Sequence, residues 1–490
     1  MPRCMSGSSV PGLEAARERS ADVAIVGTSL GGLVAATLLA QRGRRVVLIE
    51  HADAVGGGAG AVATPDGYWI DFGHRDGHDV TDCEFPWHHG AAAARETGVA
   101  IAMRALVPPL RLHRLDDGAV IGGGDWSAAG FLRLAEDYFD CPHDGLEEMR
   151  GVMARLAGAS PTEIDDALPV SLGTWVAENV RHPGVRRALV QMATVIFHPR
   201  PTEASIGRLM QFFQNPKGTG GPYIADDDEV GAMQGLIEPW ARAIRAAGGE
   251  ILLGWKPVEI VVEEGRVRGV VAVDRTNLAL EVHAPVVIST YPSWENFDLV
   301  DERLFPTDFV RDARALAAHR ADLIGWQAAL RRLPTVRASG HPDDHPGWNR
   351  ILAGPERRYF AGWHLPSLTS RRAAPPGHHL LALVRAQFFA GSSKSGQPWS
   401  AARRDLDAAV AYLQRFYLDL DDCVVWSAYQ YAAAPQSMSW LWAGVPRHGV
   451  AVEGIRGLLL ASSTVEGPAG IVDLAAYAGR AAAEAALALA

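Results

Sequence analysis

Residues 22–50 read Asp22-Val-Ala-Ile-Val-Gly27-Thr-Ser-Leu-Gly-Gly32-Leu-Val-Ala-Ala-Thr-Leu-Leu-Ala-Gln-Arg-Gly43-Arg-Arg-Val-Val-Leu-Ile-Glu50. The apolar run Val23 to Val26 predicts a buried parallel strand. A glycine turn follows, then an apolar helix, then a second strand from Val46 to Ile49 that ends in an acid. Gly27 suits the tight turn, and Gly32 lets the helix pack against the strand. Leu30 and Gly31 open that helix, so its free N–H groups and the positive end of its dipole would face a pyrophosphate. Glu50 stands where a carboxylate accepts hydrogen bonds from a ribose, with His51 beside it. Ser29 takes the place of the middle glycine of such a turn, and its hydroxyl can donate to phosphate. Strand, turn, helix, strand and acid in this order predict a dinucleotide site.

Beyond Glu50, Val55-Gly-Gly-Gly-Ala-Gly-Ala-Val-Ala-Thr64 is a glycine-rich loop too long for a simple turn, and it lets backbone pass close to a ligand. Asp66-Gly67 predicts a hairpin turn into a short strand, Tyr68 to Phe72. Helical spacing dominates from about 84 to 215, with helices expected over 145–157, 171–180 and 184–197. Another helix is predicted from Met233 to Ala247, stopped by Gly248-Gly249. Four apolar-alternating runs (Glu250 to Leu253, Val258 to Glu263, Arg266 to Val273, Leu278 to Ile288) predict a β-meander. A helix is expected from Trp399 to Tyr417. The strand Gly457 to Ala461, a Gly/Pro turn and an alanine-rich helix complete the chain.

At 490 residues, with 48% hydrophobic and 21% charged residues, the composition is that of a soluble globular protein of two or more subdomains. A net charge of −10, and no Lys/Arg run beyond two or three residues, exclude a nucleic-acid surface and an electrostatic grip on anionic lipid. No stretch approaches the roughly 20 apolar residues of a membrane span; contact with a membrane periphery stays open. Residues 1–20 lack an apolar signal core and read as a loose leader. Cys4, Cys83, Cys141 and Cys423 are scattered without metal-like spacing, which suits a reducing cytoplasm. Of the 17 histidines, the nearest to clusters are His74 with His78 and His88 with His89, and no metal site is expected. The run Asp226-Asp-Asp-Glu229 reads as a solvated loop.

Three blocks, taken in order, resemble the superfamily of phytoene desaturases, retinol saturase and flavin amine oxidases. The first is residues 22–50 with Gly56-Gly57-Gly58 and Thr64 to Gly73. The second runs from Val230-Gly-Ala-Met-Gln-Gly-Leu236 through Val258 to Gly265-Arg-Val-Arg-Gly269. The third runs from Gly457 to Glu484, and Pro375-Pro376-Gly377-His378 resembles a turn of the desaturase branch. The blocks make up about a third of the chain and span its whole length. The resemblance implies an α/β fold: a Rossmann-type FAD-binding domain with an interleaved α+β substrate domain. The FAD domain would comprise residues 21–75, 228–294 and 450–490, and the substrate domain 76–227 and 295–449. The pattern departs in three places. Ser29 replaces a glycine, no arginine follows the second strand's Gly-Gly, and Ser462-Ser463 stand where the family has Gly-Asp.

What the resemblance implies for chemistry is hydride transfer from a mainly apolar or cyclic substrate to the N5 position of FAD. Gly27, Ser29, Leu30, Gly31, Gly32, Glu50, His51, Gly57, Gly58, Val258, Ser462 and Ser463 would hold the cofactor. The N-terminus of the last helix (Gly470, Ile471, Val472) would face the N1–C2=O edge of the flavin and stabilise its anionic reduced form. Tyr429 and Tyr431, which share one strand face, and Arg75, after the first block near Asp71 and Asp76, are the candidate catalytic residues. Core packing for the tyrosines, and solvated loop charge for Arg75, are the competing readings. Two other functions stay open on this fold: a non-redox flavin-dependent isomerase or hydratase, and a flavin-free prenyl-lipid binder of the Rab escort kind. The expected partner is a small molecule, and the oligomeric state stays open.

Overall fold

The computed structural model describes residues 18–71, 88–101, 103–105, 110–122, 128–197, 201–213, 223–225, 234–318, 320–354, 358–388, 399–437, 443–467 and 471–489. Its first layer is a five-stranded parallel sheet in the order Glu250–Leu253, Val46–Glu50, Val23–Val26, Val287–Ser289, Leu458–Leu460. These strands come from three widely separated stretches of sequence. Strands Val23–Val26 and Val46–Glu50 are buried at every position, as a parallel sheet covered on both faces requires.

The helix Leu30–Gln41 is apolar all round because it is covered all round. It packs against the sheet, the last helix Ile471–Leu489, and the helices Gln234–Ala246 and His88–Thr97. On the opposite face lies a four-stranded sheet of Glu18–Ser20, Ala279–His283, Arg266–Val273 and Lys256–Glu263. Ile260, Val270 and Val282 from this sheet meet Ala24, Val26 and Ile49 from the parallel one.

Three expectations are corrected here. Glu18–Ser20 belongs to no loose leader, since it pairs in parallel with Glu281–His283. Glu250–Leu253 leaves the meander and joins the edge of the parallel sheet. The run 278–288 is two strands, Ala279–His283 in the meander and Val287–Ser289 in the parallel sheet. Pro285, between them, has no N–H to continue a ladder, and the chain changes sheets there.

The second half of the molecule centres on a seven-stranded sheet: Val424–Ser437, Arg320–Leu330, His379–Phe388, Arg358–His364, Trp348–Ala353, Leu110–Arg114 and Val120–Gly122. The helix Trp399–Phe416 covers one face, with Leu406, Ala409 and Leu413 against Ile324, Trp326 and Leu383. Helices between Ala128 and Phe213 bury Leu110, Leu112 and Trp348 at the other end of the sheet. The hairpin of Ala61–Ala63 and Trp69–Asp71 joins the two halves: Tyr68 packs with Ala329, Ala374 and Leu380, and Trp69 N–H donates to Ala373 O. The Pro375–His378 turn lies on this hairpin, with the His378 ring edge-on to Tyr68. No described helix is long and apolar enough to cross a membrane.

Candidate cofactor and active site

The turn after Val26 is set by a left-handed residue. Gly27 has φ +88°, and a β-carbon there would stand 2.2 Å from Thr290 Oγ1. Ser29 then caps the helix Leu30–Gln41 in position but not in chemistry. It makes no side-chain cap bond, and its buried hydroxyl has no partner. The helix's first turn carries no acid. A buried, unspent donor beside unpaired helix N–H groups, on a helix whose first turn carries no acid, fits the pyrophosphate of a dinucleotide. Gly57, in the turn Gly57–Ala59, lies directly over it: a β-carbon at Gly57 would be 3.4 Å from Ser29 Cα. Gln234 fixes this loop by accepting from Ala61 N–H at 3.0 Å. Gly58, where the family has arginine, adds no cation.

Glu50 occupies the expected place with unexpected partners. Its Oε2 accepts from Thr28 N–H at 2.9 Å and Thr28 Oγ1–H at 2.7 Å. Its Oε1 accepts from Ala52 N–H at 2.9 Å and faces His51 Nδ1 at 2.9 Å. Burial pushes this carboxyl up, but the bonds from His51, Ala52 and Thr28 outweigh it and hold Glu50 below its ordinary value. A carboxylate offers about four acceptor positions, and all are taken. A ribose hydroxyl therefore reaches Glu50 only in exchange for a protein donor. His51, whose side chain is 62% exposed, is the one at the surface. Bonding to Glu50 raises the His51 pKa. Glu50 thus first holds the turn: Thr28 Oγ1 in turn accepts from Gly56 N–H at 3.0 Å, tying both glycine segments to one carboxylate. Glu50→Ala is expected to cost about 3 kcal/mol, because it strands buried donors on both segments; chemical denaturation reads this directly.

Val258 lies in a β-bulge, the register stepping from Pro257 opposite Ala272 to Glu259 opposite Val271. It is 40% exposed, and Trp255 N–H, three residues before it, donates to Glu50 O at 2.9 Å. A bulged residue has backbone groups outside the ladder, which suits pairing with a purine edge. Ser462 is otherwise engaged. Its hydroxyl bonds Thr464 Oγ1 at 2.7 Å, and Thr464 Oγ1 accepts from Ser293 N–H at 3.0 Å. This buried hydroxyl chain closes the loop after Leu458–Leu460 and leaves Ser463, partly exposed, as the serine open to a ligand. Gly470 and Arg75 lie outside the described residues, as do the side chains of Ile471 and Val472.

Tyr429 and Tyr431 do share a strand face, but it is the face covered by the helix Trp399–Phe416. Both rings meet Trp399 edge-on, the Tyr429 hydroxyl donates to Asp407 on that helix, and Arg403 lies over the Tyr429 ring at 3.8 Å. The face toward the hairpin carries Trp426, Ala428 and Gln430. Gln430 Nε2 donates to Asp71 O, and its Oε1 accepts from Gln327 Nε2 at 2.8 Å. The structure thus places Tyr429 and the exposed Tyr431 on the side of the helix Trp399–Phe416, and Gln327 and Gln430 on the side toward the hairpin. Alternation alone separates the two faces without saying which one a helix covers. Among the described residues no group of histidine, cysteine and acid side chains can hold a metal, and Cys141 and Cys423 are buried and free.

Residues 25–81 match the family described as NAD(P)-binding Rossmann-like domain. Among solved structures, an oxidoreductase from Methanosarcina mazei is similar over 94% of this chain and 98% of its own, at 18% identity and TM-score 0.66. Cyclohexylamine oxidase from Brevibacterium oxydans IH-35A matches over 96% and 99%, at 17% identity and TM-score 0.56. The fold is that of the amine oxidases. It is also that of a Rab GDI from Plasmodium falciparum, similar over 94% and 96% at 9% identity and TM-score 0.55. No curated protein matches the chain in sequence. The α/β architecture is borne out, and the likeness of fold to these oxidoreductases extends over nearly the full length of each chain compared.

Proposed function

We propose that this chain is an FAD-dependent oxidoreductase that takes hydride from a small, mainly apolar or cyclic substrate. The observation that carries the reading is the unspent Ser29 hydroxyl at the acid-free start of the helix Leu30–Gln41. Ser29, Leu30, Gly31 and Gly32 would hold the pyrophosphate, Glu50 with Val258 the adenosine end, and Ser463 the ribityl chain. When bound, the flavin supplies a hydride acceptor at N5. The protein's own part is positional. Glu50 fixes the turn, Gln234 fixes the glycine loop, and Gln327 and Gln430 present a polar seam between hairpin and sheet. The amine oxidase neighbours support an oxidase-like use of the fold.

One observation favours a second reading, a flavin-free binder of the escort kind: Glu50 is saturated by protein donors. The visible spectrum of the protein after loading with FAD and desalting separates the two. A two-band flavin spectrum retained by the wild type, and weakened about a hundredfold in affinity in Ser29→Asp, is the expected result, since the new carboxylate faces a dianion. A wild type that retains no flavin overturns the proposal. Bleaching of bound flavin by substrate then distinguishes a redox enzyme from an isomerase or hydratase.

A further inference from the structure

A ribose enters the acceptor positions of Glu50 only by exchange, and the four donors already there are not equally held. Thr28 N–H and Ala52 N–H are backbone groups at 2.9 Å each, and Thr28 Oγ1 is pinned from its other side by Gly56 N–H at 3.0 Å. Releasing any of these breaks the turn that Glu50, itself 2% exposed, holds together. His51 is different. Its Nδ1 lies 2.9 Å from Glu50 Oε1, yet its side chain is 62% exposed. The ring swings into water about its own side-chain torsions and disturbs no backbone. Nε2 has no partner among the described residues, so the ring takes up a proton there while Nδ1–H goes on donating to Glu50.

The charge of this ring sets how firmly the ribose position is closed. A neutral imidazole donates an ordinary hydrogen bond to the carboxylate and an imidazolium a charge-assisted one, a modest difference at so exposed a site. Glu50 raises the His51 pKa by its bond and by its charge, and Glu295, in the turn Ser293–Asp298, raises it further. Partial burial and Lys256, on the strand Lys256–Glu263, lower it without cancelling the rise. Asp53, two residues on, is engaged by Arg275. We propose that His51 gates the ribose position on Glu50: an incoming dinucleotide displaces the His51 ring, so that cofactor loading releases a proton and weakens as the pH falls. His51 is thereby the cofactor's competitor for Glu50, not one of its ligands. This gate presupposes the FAD reading above and regulates that same site.

Titration of FAD into the flavin-free full chain from about pH 6 to about pH 8, at fixed ionic strength and followed by flavin fluorescence, tests this. The ring holds its proton more tightly on Glu50 than once displaced. The free protein therefore carries the extra proton, and affinity rises with pH. Wild-type affinity is expected to be about fourfold weaker at the acid end of this range, the scale of an exposed ion pair. His51→Ala should bind FAD with an affinity flat in pH and tighter than wild type at the acid end, a gain that misfolding cannot mimic. His51→Lys, a cation throughout the range, should be flat and weak. Calorimetry near neutral pH in two buffers of different ionisation enthalpy should read a fraction of a proton released per FAD bound by wild type, and none by His51→Ala. FAD binding by wild type with the same pH profile as His51→Ala overturns the gate and leaves the FAD reading standing. A chain that binds no FAD at any pH overturns both.

Discussion

Acidifying the protein from pH 7 to pH 5 is expected to remove about 4 kcal/mol of stability through two buried histidines in the half built on the seven-stranded sheet. His113 is fully buried, and burial pushes its pKa down to about 3. Its Nε2 faces Asn349 Oδ1 at 3.0 Å, an atom that only accepts, so Nε2 carries the proton and Nδ1 accepts from Tyr412 O–H at 2.9 Å. His345 is 6% exposed, and burial, with Arg111 close by, pushes it to about 4. In the unfolded chain an imidazole takes up its proton below about pH 6.5. Between that value and about 4, the unfolded state therefore binds two protons that the folded state refuses. Stability falls as pH falls through this window, by about 1.4 kcal/mol per histidine per unit. Denaturant melts at pH 7 and pH 5 measure the loss. His113→Gln should roughly halve the slope while lowering stability at pH 7, and an unchanged slope would show that His113 is not the group responsible.

The network around these histidines explains why they stay neutral. Asp343, 1% exposed, accepts from Tyr417 O–H at 2.6 Å and Arg111 Nη1 at 3.2 Å, and the Tyr417 oxygen accepts from Trp363 Nε1 at 3.0 Å. A positive His113 would enter a site already holding the Arg111 charge and lined by Trp363 and Phe416.

The second large effect concerns the crossing of the first and last helices. A β-carbon at Gly31 would lie 2.2 Å from Ala461 O and 2.8 Å from Ala475 O, and one at Gly479 would lie 2.2 Å from Gly31 O. These are backbone atoms of the sheet end and the last helix, so no rotamer relieves the clash. Gly31→Ala should cost about 3 kcal/mol, at the upper end of overpacking effects, and should abolish retention of added FAD because the helix start moves. Gly43 gives the control. Its φ is +78° and nothing lies within 4 Å of its β-carbon position, so Gly43→Ala should cost about 1 kcal/mol of backbone strain and leave flavin retention intact. Equal losses in both variants would show that strain, and not the helix crossing, governs the effect.

The glycine segments were legible because their constraint is local. A left-handed turn at Gly27 and an approach too close for a side chain at Gly31 each demand glycine, whatever the rest of the chain does. The Pro285 break was also visible in the chain, yet period-two alternation ran across it and suggested one strand. Thr28, Gln234 and Thr290 went unnoticed, although Thr28 adjoins the turn, because a single hydroxyl or amide gives no periodic signal. Gln327 and Gln430 lie 103 residues apart and meet through strand pairing alone.

By itself the sequence determined the parallel core around residues 22–50 and the glycine turn within it, since both follow from hydrophobic period and glycine geometry; the interleaving of two halves was implied by the resemblance of three separated blocks and not by period. Tertiary structure alone decided where side chains point and what they bond. Tyr429 and Tyr431 turn away from the hairpin because the helix Trp399–Phe416 covers their face. Glu50 is enclosed because Thr28, His51 and Ala52 converge on it. Alternation assigns a residue to a side of a strand; which side faces solvent, a helix or a ligand is settled only when distant segments pack and each buried charge meets its partner or lacks one.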